Sequence, residues 1–183
     1  MPEQATLERA REDRREGKAP TTQAGEFIRE EIHHIREGKH GARSTKQAIA
    51  IGLSKARRAG VNLPPPKKGK TSERSRHNAK LAYETGQGKR SPRAPSAKRS
   101  KAVHHALERE GKSAASHAAL ARQAHSAARQ RTAGERSAAA EKASQTKGSA
   151  GRHAAAMKAV RTKGHEAMSR AAKKAARTRA GHG

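Results

Sequence analysis

Lysine and arginine are the residues in this chain whose type and spacing could do chemistry. Lys142, Lys147, Lys158, Arg161, Lys163, Lys173, Lys174, Arg177 and Arg179 recur through an alanine-rich stretch. Lys55, Arg57, Arg58, Lys67, Lys68, Arg90, Arg93, Lys98 and Arg99 precede them. Cations strung along a chain displace condensed counterions from a nucleic-acid backbone, so affinity grows with the number engaged and falls steeply with salt. The formal net charge of +26 makes a polyanion the expected partner, with an anionic membrane surface the second choice.

Other chemistries are poorly served. Eleven histidines occur as His33-His34, His104-His105 and singles, without the H-E-x-x-H pattern, cysteine, or carboxylates at ligand spacing, so no metal site is read from them. No glycine-rich phosphate loop, nucleophile elbow or carboxylate pair marks an enzyme, and no cofactor is expected. Phe27 and Tyr83 are the only aromatics, too few to stack single-stranded bases, which favours duplex DNA over specific single-strand recognition. Structured RNA stays open. "RSPRAPS", Arg90 to Ser96, resembles turns that place arginine in a narrow minor groove, but a lone copy reads as linker.

Positioning these cations requires ordered elements, and composition argues against many of them. About two thirds of the apolar fraction is alanine. So little large apolar surface cannot offset the entropy of ordering 183 residues, so the fold class expected is mostly disordered with short α-helices. No run of eighteen apolar residues could span a bilayer, and the charged start, "MPEQATLERAREDRREG", lacks the apolar core of a secretory signal.

Charge divides the chain. Residues 1–37 hold nine of the sixteen acids and seven of the forty-two lysines and arginines, a balance of 7 − 9 = −2; the rest carries 35 − 7 = +28. Residues 1–21 read as a charged helical arm. Residues 22–62 read as a helical hairpin. Its first helix carries Ala24, Phe27, Ile28, Ile32 and Ile35 on one arc, with Glu31 interrupting it, and ends at a left-handed Gly38. Its second starts at Ser44, with Gln47 completing a capping box, and carries Ala48, Ile49, Gly52, Leu53, Ala56 and Ala59 on one face. Gly52 predicts a close helix–helix approach, and Gly60 with Pro64 to Pro66 ends the hairpin. Lys55, Arg57 and Arg58 lie on its other face, where a helix-turn-helix would place a recognition surface. The third helix that would complete such a core would have to come from residues 3–17, which are too polar to serve well; self-association through 22–60 ranks a little above that reading, and a plain small scaffold above both.

Residues 63–100 read as a basic linker rich in proline and serine, with a single helix around Leu81 and Tyr83. Residues 101–183 read as a basic tail that turns helical on binding. Within it "SAAAEKASQTKG", from Ser137, matches "HAAAMKAVRTKG", from His153, at a period of sixteen, and a weaker copy starts at Ser169.

Two resemblances follow from these strings. "EGKHGARSTKQAIAIGLSKARRAG", Glu37 to Gly60, resembles the motif of an uncharacterised bacterial family of small Lys-rich proteins with no assigned activity, which implies a small helical element. The repeat region resembles the Ala/Lys-rich tails of linker-histone-like proteins. The expected function is non-sequence-specific DNA binding by a histone-like, nucleoid-associated, cytoplasmic protein. A hydrophilic desiccation protectant is the second reading, weakened by the shortage of acids, and an RNA- or ribosome-associated basic protein is the third.

Overall fold

Ala24, Phe27, Ile32 and Ile35, each under a tenth exposed, form the seam on which the N-terminal part of the chain is assembled. The computed structural model describes residues 2–91, 94 and 96–180. They form two units, 1–130 and 131–183. Among the described residues there are eight α-helices and no strand: α1 Gln4–Arg15, α2 Pro20–Glu37, α3 Thr45–Arg58, α4 Glu73–Gly86, α5 Ala97–Glu108, α6 His117–Arg129, α7 Ala133–Lys163 and α8 His165–Ala180, with a 3₁₀ turn at Ser113–Ala115. The expectation of a mostly, intrinsically disordered chain whose tail folds only on binding is therefore overturned.

The first unit is built on the α2–α3 hairpin, and its ends follow from local rules. Gly38 closes α2 in the left-handed conformation at φ 84°. The Ser44 hydroxyl accepts the Gln47 amide at 3.2 Å to start α3, while the Gln47 side chain accepts the Arg43 amide at 2.9 Å, one residue earlier than a strict capping box. Gly52 explains how so few large side chains suffice: a Cβ there would lie 2.7 Å from Ile28 Cα, so the two backbones nearly touch. Contact made by backbone and methyl groups stabilises packing without large side chains, and an inventory of bulky residues misses it.

Two apolar clusters result. One joins Ile32, Ile35, Ala42 and Ala48 to Ala114 and Ala115, with Ile28 and Leu120 against it. The other joins Ala10, Ala24, Phe27, Ala56 and Val61, with Leu7, Leu53 and Leu63. Leu7 and Ala10 bring α1 into the core as a third helix, despite its charge. The 3₁₀ turn is pinned by hydrogen bonds as well as by burial: Thr45 Oγ1 donates to the Ala114 carbonyl at 2.7 Å and Arg36 Nε to the Ala115 carbonyl at 2.8 Å. The stretch read as linker holds α4, which packs on α3; Tyr83 donates its hydroxyl to Asn62 Oδ1 at 2.7 Å. The apolar face assigned to self-association is thus covered largely by the chain's own α1, α4 and 3₁₀ turn.

The second unit contains no fully buried residue among those described. Its helices rest on alanine's propensity and on local capping. Thr132 and Glu135 form a reciprocal capping box at the start of α7. Gly148 breaks α7 at φ 62°, ψ 177°, and Gly164 separates α7 from α8 at φ 78°, ψ 154°. These two glycines close the first two sequence repeats. Each copy also carries the same back-bond, from the hydroxyls of Thr146, Thr162 and Thr178 to the carbonyls of Lys142, Lys158 and Lys174, at 2.8, 2.8 and 3.0 Å.

Replacing Gly52 with Leu tests the close approach, because leucine is a good helix former and any loss must come from packing. Unfolding of the first unit, followed by the fluorescence of the single tyrosine, Tyr83, should shift to lower urea by about 1–3 kcal/mol. An unchanged midpoint would show that the hairpin does not depend on this contact.

Candidate nucleic-acid interface

Of the two units, the second carries more net positive charge per residue. Residues 131–183 carry thirteen lysines and arginines against Glu135, Glu141 and Glu166, a balance of 13 − 3 = +10. On α8, Arg170, Lys173, Lys174 and Arg177 recur at helical spacing and fall within one arc of about 100°. All four are exposed, and among the described residues none is ion-paired. Ala171, Ala172, Ala175 and Ala176 lie between them, so these four charges share one side of the helix, with Glu166 one turn earlier in the same arc. Lys142, Lys147, Lys158, Arg161 and Lys163 are exposed on α7. Near the break at Gly148, Arg152 donates to the Ser144 carbonyl at 3.2 Å and also to its hydroxyl, tying the two helical segments together. Arg179 belongs to α8, but its side chain lies outside the described residues.

In the first unit the predicted cations separate into two groups. Arg58, Lys67, Lys68, Arg90, Lys98 and Arg99 are exposed, and Arg93, with most of the RSPRAPS turn's core, lies outside the described residues. Arg58 and Arg99 flank one open groove of about 830 Å³, floored by Leu81, Val103 and Leu107.

Lys55 and Arg57 instead turn inward. Lys55 Nζ lies 2.7 Å from Glu31 Oε2 and 3.1 Å from Glu30 Oε1, and both carboxylates are 1% exposed. Burial pulls the Lys55 pKa down, but the two carboxylates outweigh it and hold the ammonium above its ordinary value. Burial likewise pushes Glu30 up, and hydrogen bonds from Thr6, the Glu3 amide and Lys55 overcome this to leave its carboxyl below the usual range. Arg57 donates Nε to the Leu63 carbonyl at 3.0 Å, and burial lowers its pKa. Neither side chain is free for phosphate, so α3 presents no recognition face.

Three cations that pattern reading passed over stand together. Arg43, Lys46 and Arg122 line an open depression of about 410 Å³ where the N-termini of α3 and α6 meet, capped by Ser44 and Ser116. Helix N-termini and guanidinium groups both favour anions. Ser116 with three following residues before an apolar face is a capping signal, but the pairing of the two helix starts is tertiary. Arg170 was also passed over, although its spacing from Lys173, Lys174 and Arg177 is legible.

Comparison with known proteins adds a family without a function. Residues 15–68 match a family of unknown function, DUF6496, a span that contains α2 and α3 and stops before α4. No curated protein matches the chain, and no solved structure does.

Lys55 gives a stability prediction with a defined pH window. Its raised pKa contributes stability that is present below the unfolded value of about 10.4 and is lost as pH rises through the folded value. The lowered pKa of Glu30 contributes stability present above about 4.3 and lost as pH falls through its folded value. Between these limits Lys55→Ala should cost about 3 kcal/mol, because it strands two buried carboxylates. Arg58→Ala should stay within about 0.5 kcal/mol. Urea unfolding of both variants at neutral pH checks the contrast.

Proposed function

We propose that this protein binds nucleic acid without sequence specificity, duplex DNA before RNA, by phosphate neutralisation, and that it does so as a histone-like, nucleoid-associated protein in the cytoplasm and not as an enzyme. The observation that carries this reading is the arc of Arg170, Lys173, Lys174 and Arg177 on α8, exposed and unpaired among the described residues.

Several features support it. Four cations already arranged on one side of a helix meet a phosphate backbone without first ordering the chain that bears them. An α-helix of this width fits the major groove of B-form DNA, and alanine beside the cations keeps the approach close. Bidentate recognition of adenine has little to work with, since the only amide side chain of the second unit is Gln145. Stacking is equally unsupported, since Phe27 is 1% exposed and Tyr83 is engaged with Asn62. The groove between Arg58 and Arg99, and the depression lined by Arg43, Lys46 and Arg122, offer further phosphate contacts in the first unit.

The test is fluorescence anisotropy against two unrelated duplexes, a structured RNA and anionic vesicles over a range of salt. Both duplexes should bind alike, with log K falling linearly with log salt. Changing Arg170, Lys173, Lys174 and Arg177 to Gln should reduce the slope by up to about 3.6, at about 0.9 per phosphate contact. It should leave the far-UV circular dichroism unchanged. Binding with no salt dependence, or full affinity and slope in the quadruple variant, would refute the reading. Tighter binding to RNA would move the target from DNA to RNA while keeping the mechanism.

A further inference from the structure

Glu31 and His34, one turn apart on α2, meet His40 from the 39–43 loop. One ligand atom from each lies within 4.8 Å of the other two. Their side chains are 1%, 11% and 16% exposed. We propose that these three residues bind a first-row divalent transition-metal ion of the Zn²⁺ class, with a fourth position left to water, and so clip the 39–43 loop onto α2. The proposal does not depend on whether the protein binds nucleic acid.

The hydrogen bonds of the two imidazoles carry the argument. His40 Nδ1 lies 3.0 Å from the Gly41 carbonyl, which can only accept, so Nδ1 bears a proton. His34 Nε2 lies 2.7 Å from Glu3 Oε1, and against a carboxylate it too is the donor. Each ring therefore commits one nitrogen to an outer acceptor, leaving His40 Nε2 and His34 Nδ1. Metal-ligating histidines are held in this way, with a carbonyl or carboxylate fixing tautomer and ring orientation.

His40 Nε2 faces Glu31 Oε1 at 3.1 Å. In a neutral ring that nitrogen presents a lone pair to another acceptor, an arrangement that needs a cation. The other carboxylate oxygen, Glu31 Oε2, is held by the Lys55 ammonium at 2.7 Å, which leaves Oε1 to face the imidazoles. The local charge points the same way. Glu3, Glu30, Glu31 and Glu37 stand against Lys39 and Lys55, a balance of 2 − 4 = −2.

The donor set suits the ion. One carboxylate and two imidazoles are ligands of Zn²⁺ and its neighbours, and a fourth, open position is common. Bonds of about 2.0–2.2 Å place tetrahedral ligands about 3.4 Å apart, between the 3.1 Å from His40 Nε2 to Glu31 Oε1 and the 4.8 Å that bounds the cluster. The loop that supplies His40 is anchored nearby, with the Gly41 amide donating to the Leu107 carbonyl at 2.9 Å and the Ala42 amide to Gly111 at 3.3 Å. A proton on His40 would answer the same electrostatic need, and the experiment separates the two.

Full-length protein, stripped with chelator, is titrated with Co²⁺ and then Zn²⁺. One equivalent of Co²⁺ should give the visible absorption of a low-coordinate site, Zn²⁺ should displace it, and Zn²⁺ should raise the melting temperature. In the unaltered protein, imidazole-nitrogen NMR should show His34 and His40 shifting at one equivalent of Zn²⁺ while the other nine histidines hold. His40→Ala should lower affinity at least 10-fold, an effect already within the range of about 10–100-fold for losing an outer partner alone. A paired His104→Ala, His105→Ala variant should bind as the original. No shift at His34 and His40 at one equivalent, or metal distributed over exposed histidines, would overturn the proposal and leave the cluster to a proton.

Discussion

The buried carboxylates of Glu30 and Glu31 are the constraint to which the rest of the first unit answers. Two negative charges placed side by side inside a helical seam are costly unless every neighbour contributes a donor or a cation. The Glu3 amide donates to Glu30 at 3.0 Å, which orients α1, and Lys55 reaches across from α3. His40 reaches Glu31 from the following loop. Three separate segments are thus oriented by one pair of acids. The apolar clusters on either side gain their definition from this polar centre, because alanine-to-alanine contacts alone specify register poorly.

That arrangement also explains why sequence reading and structure part company where they do. The hairpin was legible: Gly38, Ser44 and Gly52 announce a helix end, a helix start and a close approach, and each does so here. Glu31, which interrupts the apolar arc of α2, counted against that helix. It proves to be among its most buried residues. Lys55 and Arg57 looked like members of an exposed basic face, because a one-dimensional pattern cannot show that a carbonyl or a carboxylate lies opposite. Ala114 and Ala115 carried no signal at all: methyl groups in a low-complexity stretch look like tail until hydrogen bonds to Thr45 and Arg36 fix them in the core.

The candidate interface was legible in composition and only partly in geometry. Charge directed attention to everything beyond residue 37, and most of the cations singled out on α7 and α8 are exposed. Order was the missing element. Small buried area does not mean little order here, because helices rich in alanine draw on backbone propensity and capping, which need no interior. Arg43, Lys46 and Arg122 come together only through tertiary structure, which no linear spacing contains.

The glycines at 148 and 164 make the second unit a chain of interchangeable segments. The first two copies each carry their own stop and all three carry their own threonine tether and cations, while Arg152 reaches back across the first break to Ser144. Inserting or deleting one whole copy would alter the reach of the charged surface by a fixed increment and leave every other segment's internal bonding intact. Length, in such a design, can drift between related chains while the chemistry per segment stays constant.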